Sequence, residues 1–262
     1  MSSFAALIHN ENIKIYSRLR TWIMLFLLVL ISFLFPLLIY ITGNSGEQDI
    51  SMWDSFQLTA SVAFLMNMIF TVVIASDAVA GEFGWGTIKL LLIRPWSRSK
   101  ILLSKYISMV LFSLLGSALF VAVGLTASLI FSSSHADTSS NMSWTPAQYS
   151  FLVLLCQYVW LFIIATLAFM VSSVFRASGL AIGLSLFITF AGDIITAILN
   201  PERYSWAKFL IFPHMNLNGY ILSDTGPGGV SLGFSIGVLA VYYVVFMAVS
   251  WLVFCKRDVS ST

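Results

Sequence analysis

The chain has 262 residues, 59% of them hydrophobic and only 9% charged, with a net charge of +2. A soluble domain carries roughly 45–50% apolar and about 25% charged residues, so this composition excludes an ordinary soluble fold and points to an all-α membrane protein. A charge so close to balance also lacks the concentrated basic face of a nucleic-acid binder.

Residues 1–21 come first. Phe4, Ile8, Ile15, Leu19 and Trp22 recur at spacings of three, four or seven, with His9, Asn10, Glu11, Lys14, Arg18 and Arg20 mostly elsewhere around the helix. That periodicity predicts a helix lying in the headgroup plane; the alternative is a frayed polar leader. A cleaved signal peptide is not expected. The first apolar run is about twice the length of an ordinary h-region and lacks a small-x-small cleavage site.

A hydrocarbon core of ~30 Å needs about 20 apolar residues at 1.5 Å each. Six segments reach that length: 22–42, 57–76, 106–131, 149–172, 179–199 and 230–255. Six transmembrane helices place both termini on one side, and the short connections leave no room for a second soluble domain, so residues 1–262 read as a single transmembrane domain. Short cytoplasmic loops retain Lys and Arg. With both termini cytoplasmic, eleven of the thirteen Lys and Arg fall inside, and only Arg203 and Lys208 fall outside. Cys156 and Cys255 then lie at different membrane depths, too far apart to bridge.

Between the second and third spans runs GEFGWGTIKLLLIRPWSRSKILLSK, residues 81–105. Gly81, Gly84 and Gly86 free the backbone, Thr87 can cap a helix, and Ile88 to Arg94 form a short apolar-basic run stopped by Pro95. So short a helix is not stable alone in water, and its leucines must bury against lipid or a partner protein. Ser97 can cap the helix that runs through Arg98, Lys100 and Lys105 into the third span. Glu82, Gly86, Thr87, Leu91, Arg94, Pro95, Arg98 and Lys105 resemble the signature of permease subunits of type-2 ABC exporters, and the topology of the whole chain fits that family. Bacterial permeases of this size associated with bacitracin or lantibiotic resistance, and with export of peptide toxins such as phenol-soluble modulins, are the members it looks most like.

The resemblance implies that the cytoplasmic loop 81–98 contains a coupling helix seated in a groove of a separate ATPase. Glu82 would orient the loop, Ile88 to Ile93 would fill the groove, and Arg94 and Arg98 would contact acidic ATPase or lipid groups. The alternative is that the basic residues only enforce topology, the reading favoured for Lys100 and Lys105. No Gly-x-x-x-x-Gly-Lys-Ser/Thr phosphate loop occurs in the chain. No cofactor is therefore expected here; ATP and Mg would sit on the partner ATPase. Six spans are half the usual exporter complement, which implies two ATPase copies and a second permease chain, a homodimer in the simplest version. Membrane lipids are the remaining partner, and the bacterial cytoplasmic membrane the expected location.

Polar residues within spans are costly and therefore functional candidates. Asp193 lies roughly 21 Å along the fifth span by helical rise. It either pairs with Arg203 or Lys208, faces substrate or a gate, or stays protonated. Asn67 either bonds a facing helix or lines a pathway, and Asp77 is expected to anchor at the inner interface. Residues 200–229 carry Tyr204, Trp206, Phe209, Leu210, Phe212 and Tyr220, broken by Pro213 and Gly219. This composition predicts a re-entrant or interfacial outer hairpin, or an aromatic belt that only anchors the fold. Phe64, Met66, Met68 and Phe70, with Phe187 and Phe190, are either ordinary packing or a pliable apolar lining. A pathway so poor in charge suits a hydrophobic or amphipathic cargo such as a peptide toxin, an antimicrobial peptide or a lipid-like molecule.

His9, His135 and His214 are isolated and show no metal-ligand spacing, and a Gly-x-Ser-x-Gly elbow is missing. The chain is not expected to be an enzyme. Rival readings are an ion- or proton-coupled carrier using Asp193 and a membrane anchor or sensor that moves no cargo.

Overall fold

The computed structural model describes residues 4–43, 51–86, 96–132, 144–175, 177–223 and 225–256. Among them the protein is all-helical, with six helices long and apolar enough to cross a membrane. In chain order the helices begin with α1 (Phe4–Tyr16), α2 (Leu19–Gly43), α3 (Met52–Gly84), α4 (Arg98–Phe131), α5 (Pro146–Val174) and α6 (Ser178–Ile198). Two 3-10 turns (Ser205–Phe209 and Phe212–His214), a one-turn helix α7 (Gly219–Leu222) and a third 3-10 turn (Pro227–Gly229) precede α8 (Leu232–Lys256). Helices α2 to α6 and α8 are the six apolar ones; this is a multi-pass membrane protein. In lipid every backbone polar group must be satisfied within the segment, which is why apolar stretches of this length fold as continuous helices.

Local signals set the helix ends. Thr145 and Gln148 form a reciprocal capping box: the Gln148 amide N–H donates to Thr145 Oγ1 at 3.3 Å and the Thr145 N–H to Gln148 Oε1 at 3.1 Å. Together with Pro146 in the first turn, it starts α5 three residues before the apolar run. The Trp22 indole donates to the Tyr16 carbonyl at 2.8 Å and so satisfies one of the last carbonyls of α1. Gly86 takes φ +69 just beyond α3, and its N–H bonds the Phe83 carbonyl at 3.2 Å. A left-handed residue there ends the helix, and glycine adopts it without strain. At ~1.5 Å per residue, α3 and α4 run to ~50 Å, well beyond a ~30 Å hydrocarbon core. Their facing ends, with Glu82 on one and Arg98 to Lys105 on the other, are therefore free to stand outside the lipid.

The chain divides into two compact units. One contains α1 up to Ile15, Thr71–Val110, and everything from Cys156 onwards; the other contains Tyr16–Phe70 and Leu111–Leu155. In the second unit α2 presents a buried stripe of Thr21, Leu25, Leu28 and Ser32. The buried Asn67 of α3 reaches α4 there, donating to Ser117 Oγ at 3.0 Å and to the Ser113 carbonyl at 3.4 Å. Gly116 makes that approach possible: a Cβ on it would lie 2.1 Å from Asn67 Oδ1. In the first unit Tyr106 packs edge-on against Phe162 and Phe169 and bonds Thr166 Oγ1 at 2.9 Å.

Gly116→Ala should therefore destabilise the protein by about 1–3 kcal/mol, the usual range for overpacking, and the loss should shrink to near zero in an Asn67→Ala background. Thermal unfolding of the detergent-purified double-mutant set checks this; additive losses would show that the Asn67 contact does not set the spacing.

Candidate functional site: the root of the α3–α4 loop

The loop between α3 and α4 begins at a buried charge cluster. Lys14 Nζ lies 2.8 Å from Glu11 Oε1 and 2.8 Å from Glu82 Oε1; Lys105 Nζ lies 2.8 Å from Glu11 Oε2 and 3.0 Å from Glu82 Oε1. Each carboxylate touches both ammonium groups, so the four side chains close a ring with no net charge. The Lys105 side chain is 3% exposed, Glu11 8% and Glu82 13%, whereas Lys14 is 42% exposed. Three members are thus withdrawn from water, and alternation of sign around the ring is what makes their burial tolerable.

Backbone geometry delivers these groups. Glu11 follows Leu7 by one helical turn, and these two are the buried residues of α1. Lys14 is one turn further along. Glu82 is in the last turn of α3, four residues before the Gly86 stop. Lys105 follows Ile101 by four on the buried face of α4. Burial by itself would lower the Lys14 pKa, but the Glu11 and Glu82 carboxylates outweigh it and hold the ammonium above the ordinary lysine value.

Further contacts grip the same end of α3. Ser172 Oγ of α5 accepts the Val79 and Ala80 N–H groups, each at 3.0 Å. The buried Asp77 accepts a hydrogen bond from Ser178 Oγ at the start of α6, a carboxylate placed where the helix dipole favours it. A Cβ on Gly81 would lie 2.6 Å from Asp77 Oδ1, so a small residue is needed there. On the downstream side, Arg98 Nη1 donates to the Cys255 carbonyl at 3.2 Å, at the last turn of α8. The Trp251 indole of α8 donates to Ser99 Oγ at 3.0 Å. Both roots of the loop are therefore fixed to transmembrane helices by hydrogen-bonded side chains.

Of the residues expected to couple to a partner, Glu82, Gly86 and Arg98 flank the loop at these roots. Thr87, Ile88, Leu91, Arg94 and Pro95 lie outside the described residues. The candidate pathway residues divide between the two compact units. Met66, Asn67 and Phe70 belong to one unit, Phe190 and Asp193 to the other. Asn67 is engaged with α4, and Met66 and Phe70 are half-buried. Phe190 is exposed on α6, as is Phe187. Asp193 forms no ion pair with Arg203 or Lys208 among the described residues. Instead it lines a cavity of about 580 Å³ with Thr196, Asn200, Glu202, Tyr220 and the turn at Gly226 to Gly228. Cys156 and Cys255 are both free thiols.

Three residues carry more than their sequence context announced. Glu11 and Lys105 close the ring, although the first counts with the polar face of α1 and the second with the topogenic charges of the loop. A signal was present for each: Glu11 stands four residues from Leu7, and Lys105 stands four from Ile101. The third is His214, isolated in sequence but fully buried, with Nδ1 2.7 Å from Ser235 Oγ and Nε2 2.7 Å from the Lys208 carbonyl. Since a carbonyl only accepts, Nε2 is the donor there.

The chain belongs to the DUF2705 family, described as proteins of unknown function, which it matches over residues 21–260. It is 32% identical to the uncharacterized protein YhcI of Bacillus subtilis, across 97% of this chain and 99% of that protein. It is 28% identical to the uncharacterized membrane protein YdbK of the same organism, across 94% and 99%. A more distant likeness, 29% identity over 74% of this chain and 71% of the relative, is to the probable ABC transporter permease protein NosY of Stutzerimonas stutzeri.

Two outcomes follow from the closed ring. Removing one buried partner strands its neighbours, so Lys105→Met or Glu11→Gln should cost about 3–5 kcal/mol of stability, and Lys14→Met, at the exposed corner, at most about 1 kcal/mol. Exchanging Glu82 and Lys105 alone should not restore stability, because the exchanged groups then face like charges in Lys14 and Glu11. Reversing all four should restore it. Melting temperatures of the purified variants decide; rescue by the two-site exchange would show the pairs to be independent.

Because the folded Lys14 pKa is raised, its stabilisation is fully present below the ordinary lysine value of 10.5 and is lost as pH rises through the higher folded value. The gap in melting temperature between the native protein and Lys14→Gln should stay level up to that pH and close above it. A gap that closes near neutral pH would contradict the assignment.

Proposed function

We propose that this chain is the membrane-spanning permease subunit of an ATP-driven ABC exporter whose ATPase is a separate polypeptide. The single observation that carries the reading is the ion-pair ring at Glu82. A loop that only connected two helices would need no such anchorage, whereas a loop that receives force needs a stiff root. The likeness to a probable ABC transporter permease supports the same reading, as do six apolar helices without a phosphate-binding loop.

In this mechanism the apolar face of Ile88 to Ile93 fills a groove on the ATPase, and Arg94 adds a charged contact at its edge. ATP binding draws two ATPase copies together. Each groove pulls on its loop, and the ring together with the Arg98 tie passes the movement to α1, α3, α4 and α8 without slack. Two copies of this chain complete the transporter in the cytoplasmic membrane, with both termini inside. The cargo is hydrophobic or amphipathic: a peptide toxin, an antimicrobial peptide or a lipid-like molecule, handled as in bacitracin, lantibiotic or modulin export. ATP and Mg are held by the partner. Asp193 supports the proton-coupled carrier as a second reading, since it stands exposed at the wall of a cavity and forms no ion pair among the described residues.

Purification of the chain expressed from its own operon, in mild detergent, should retain an ABC ATPase in equal amount. Glu82→Ala should leave that ATPase bound but reduce its stimulation by the permease at least about tenfold, a loss of ~1.4 kcal/mol in coupling; Leu91→Asp should release it. Transport that runs on a pH gradient, needs Asp193 and ignores both substitutions would replace the exporter by the carrier.

A further inference from the structure

Helix α8 is held at each end by side-chain hydrogen bonds to segments that lie on opposite membrane faces in the proposed topology. Its C-terminal turns receive Arg98 through the Cys255 carbonyl and Ser99 through the Trp251 indole. At its other end Ser235 Oγ lies 2.7 Å from His214 Nδ1 and 2.7 Å from the Tyr220 hydroxyl, two residues of the outer hairpin. Lower on the same helix, the Tyr242 hydroxyl donates to the Phe209 carbonyl at 3.2 Å. From Ser235 to Cys255 the helical rise is ~30 Å, the thickness of the hydrocarbon core.

The helix between these ties suits the transmission of displacement. Ser235, Leu239, Phe246, Ser250 and Phe254 form one buried stripe along its length. Neither Gly nor Pro occurs after Gly237, so the two residue types that most often break a helix are missing from this stretch. Gly233 and Gly237 soften only the outer turns, and the Tyr242 tie lies beyond both. The hairpin so held is itself compact: the His214 imidazole reaches the Lys208 carbonyl, and a Cβ on Gly226 would lie 2.0 Å from the Tyr220 hydroxyl. It forms one wall of the cavity whose other wall carries Asp193.

We infer that α8 is a strut that carries movement of the inner loop to the outer hairpin, with Ser99 and Trp251 as positioning residues at one end and Ser235 and Tyr242 at the other. Closure of the ATPases would thereby change access to the Asp193 cavity. This rests on the exporter reading. A packed element fixed at both ends is the kind of physical connection that coupling across this distance requires.

Amide hydrogen exchange of the hairpin, residues 205–223, tests it in the permease–ATPase complex in lipid nanodiscs, with and without ATP and vanadate. Nucleotide trapping should change hairpin exchange about fivefold or more, the scale of one net hydrogen bond. Ser99→Ala with Trp251→Phe should reduce that change to under about twofold while the ATPase stays bound and active. Should that pair fail to accumulate, Ser235→Ala with Tyr242→Phe cuts the path at its outer end. There residues 96–110 should keep their nucleotide response and the hairpin should lose its own. An undiminished hairpin response in either pair overturns the strut, as does a hairpin indifferent to nucleotide in a native complex with a stimulated ATPase. A native chain that retains no ATPase fails earlier and differently: it overturns the exporter reading, and the inference with it.

Discussion

Desolvation of charge at the base of the α3–α4 loop is the constraint on which the rest of the structure depends. Lys105 is almost fully withdrawn from water, and the Glu11 and Glu82 carboxylates offset the cost of burying it. Glu11 in turn requires α1 to lie against α3 and α4, so the amphipathic helix before the first span is a structural part of the loop rather than a leader. The closed alternation of the ring also explains its specificity. A one-turn shift of any of the three helices would open the ring and leave buried charges without their partners, so the ring fixes their register as well as their proximity.

From that base the architecture follows in both directions along the chain. Upstream, Ser172 and Asp77 tie the end of α3 to α5 and α6, and Gly86 stops the helix at a defined point. Downstream, Arg98 and Ser99 meet the last turns of α8, whose first turns hold His214 and Tyr220. In the proposed exporter this gives the loop two stiff attachments and one route across the membrane. The second unit uses a different device, a polar side chain of α3 against a glycine of α4, because among the described residues its contacts are between apolar helices, with few other groups to fix spacing.

Much of the fold was legible in the sequence, since apolar length is a direct consequence of the bilayer's thickness. The six helices stand where the apolar runs stand, and their extension beyond those runs came from signals that hydropathy ignores, such as the Thr145 to Gln148 capping box. The site was legible only in part. Glu82 stands out because acids are rare beside glycines at the end of a span, but its partners are 23 and 68 residues away, and no local pattern announces pairings at that separation. Lys105 looked like one more positive-inside charge because topogenic and buried lysines have the same local context; only the helical register with Ile101 distinguishes them. His214 shows the same limit: its two ring partners, Ser235 and Lys208, become visible only when the hairpin folds back on α8.

The central claim is that the loop anchored by the ring seats in a separate ATPase. The most direct measurement places a photo-crosslinking amino acid at Leu91, irradiates native membranes and identifies the captured chain by mass spectrometry. The account predicts capture of an ABC ATPase from Leu91, with loss of capture when Lys105→Met loosens the root in a chain that still reaches the membrane. Capture of lipid alone, from a stable chain whose operon expresses an ATPase, would contradict it.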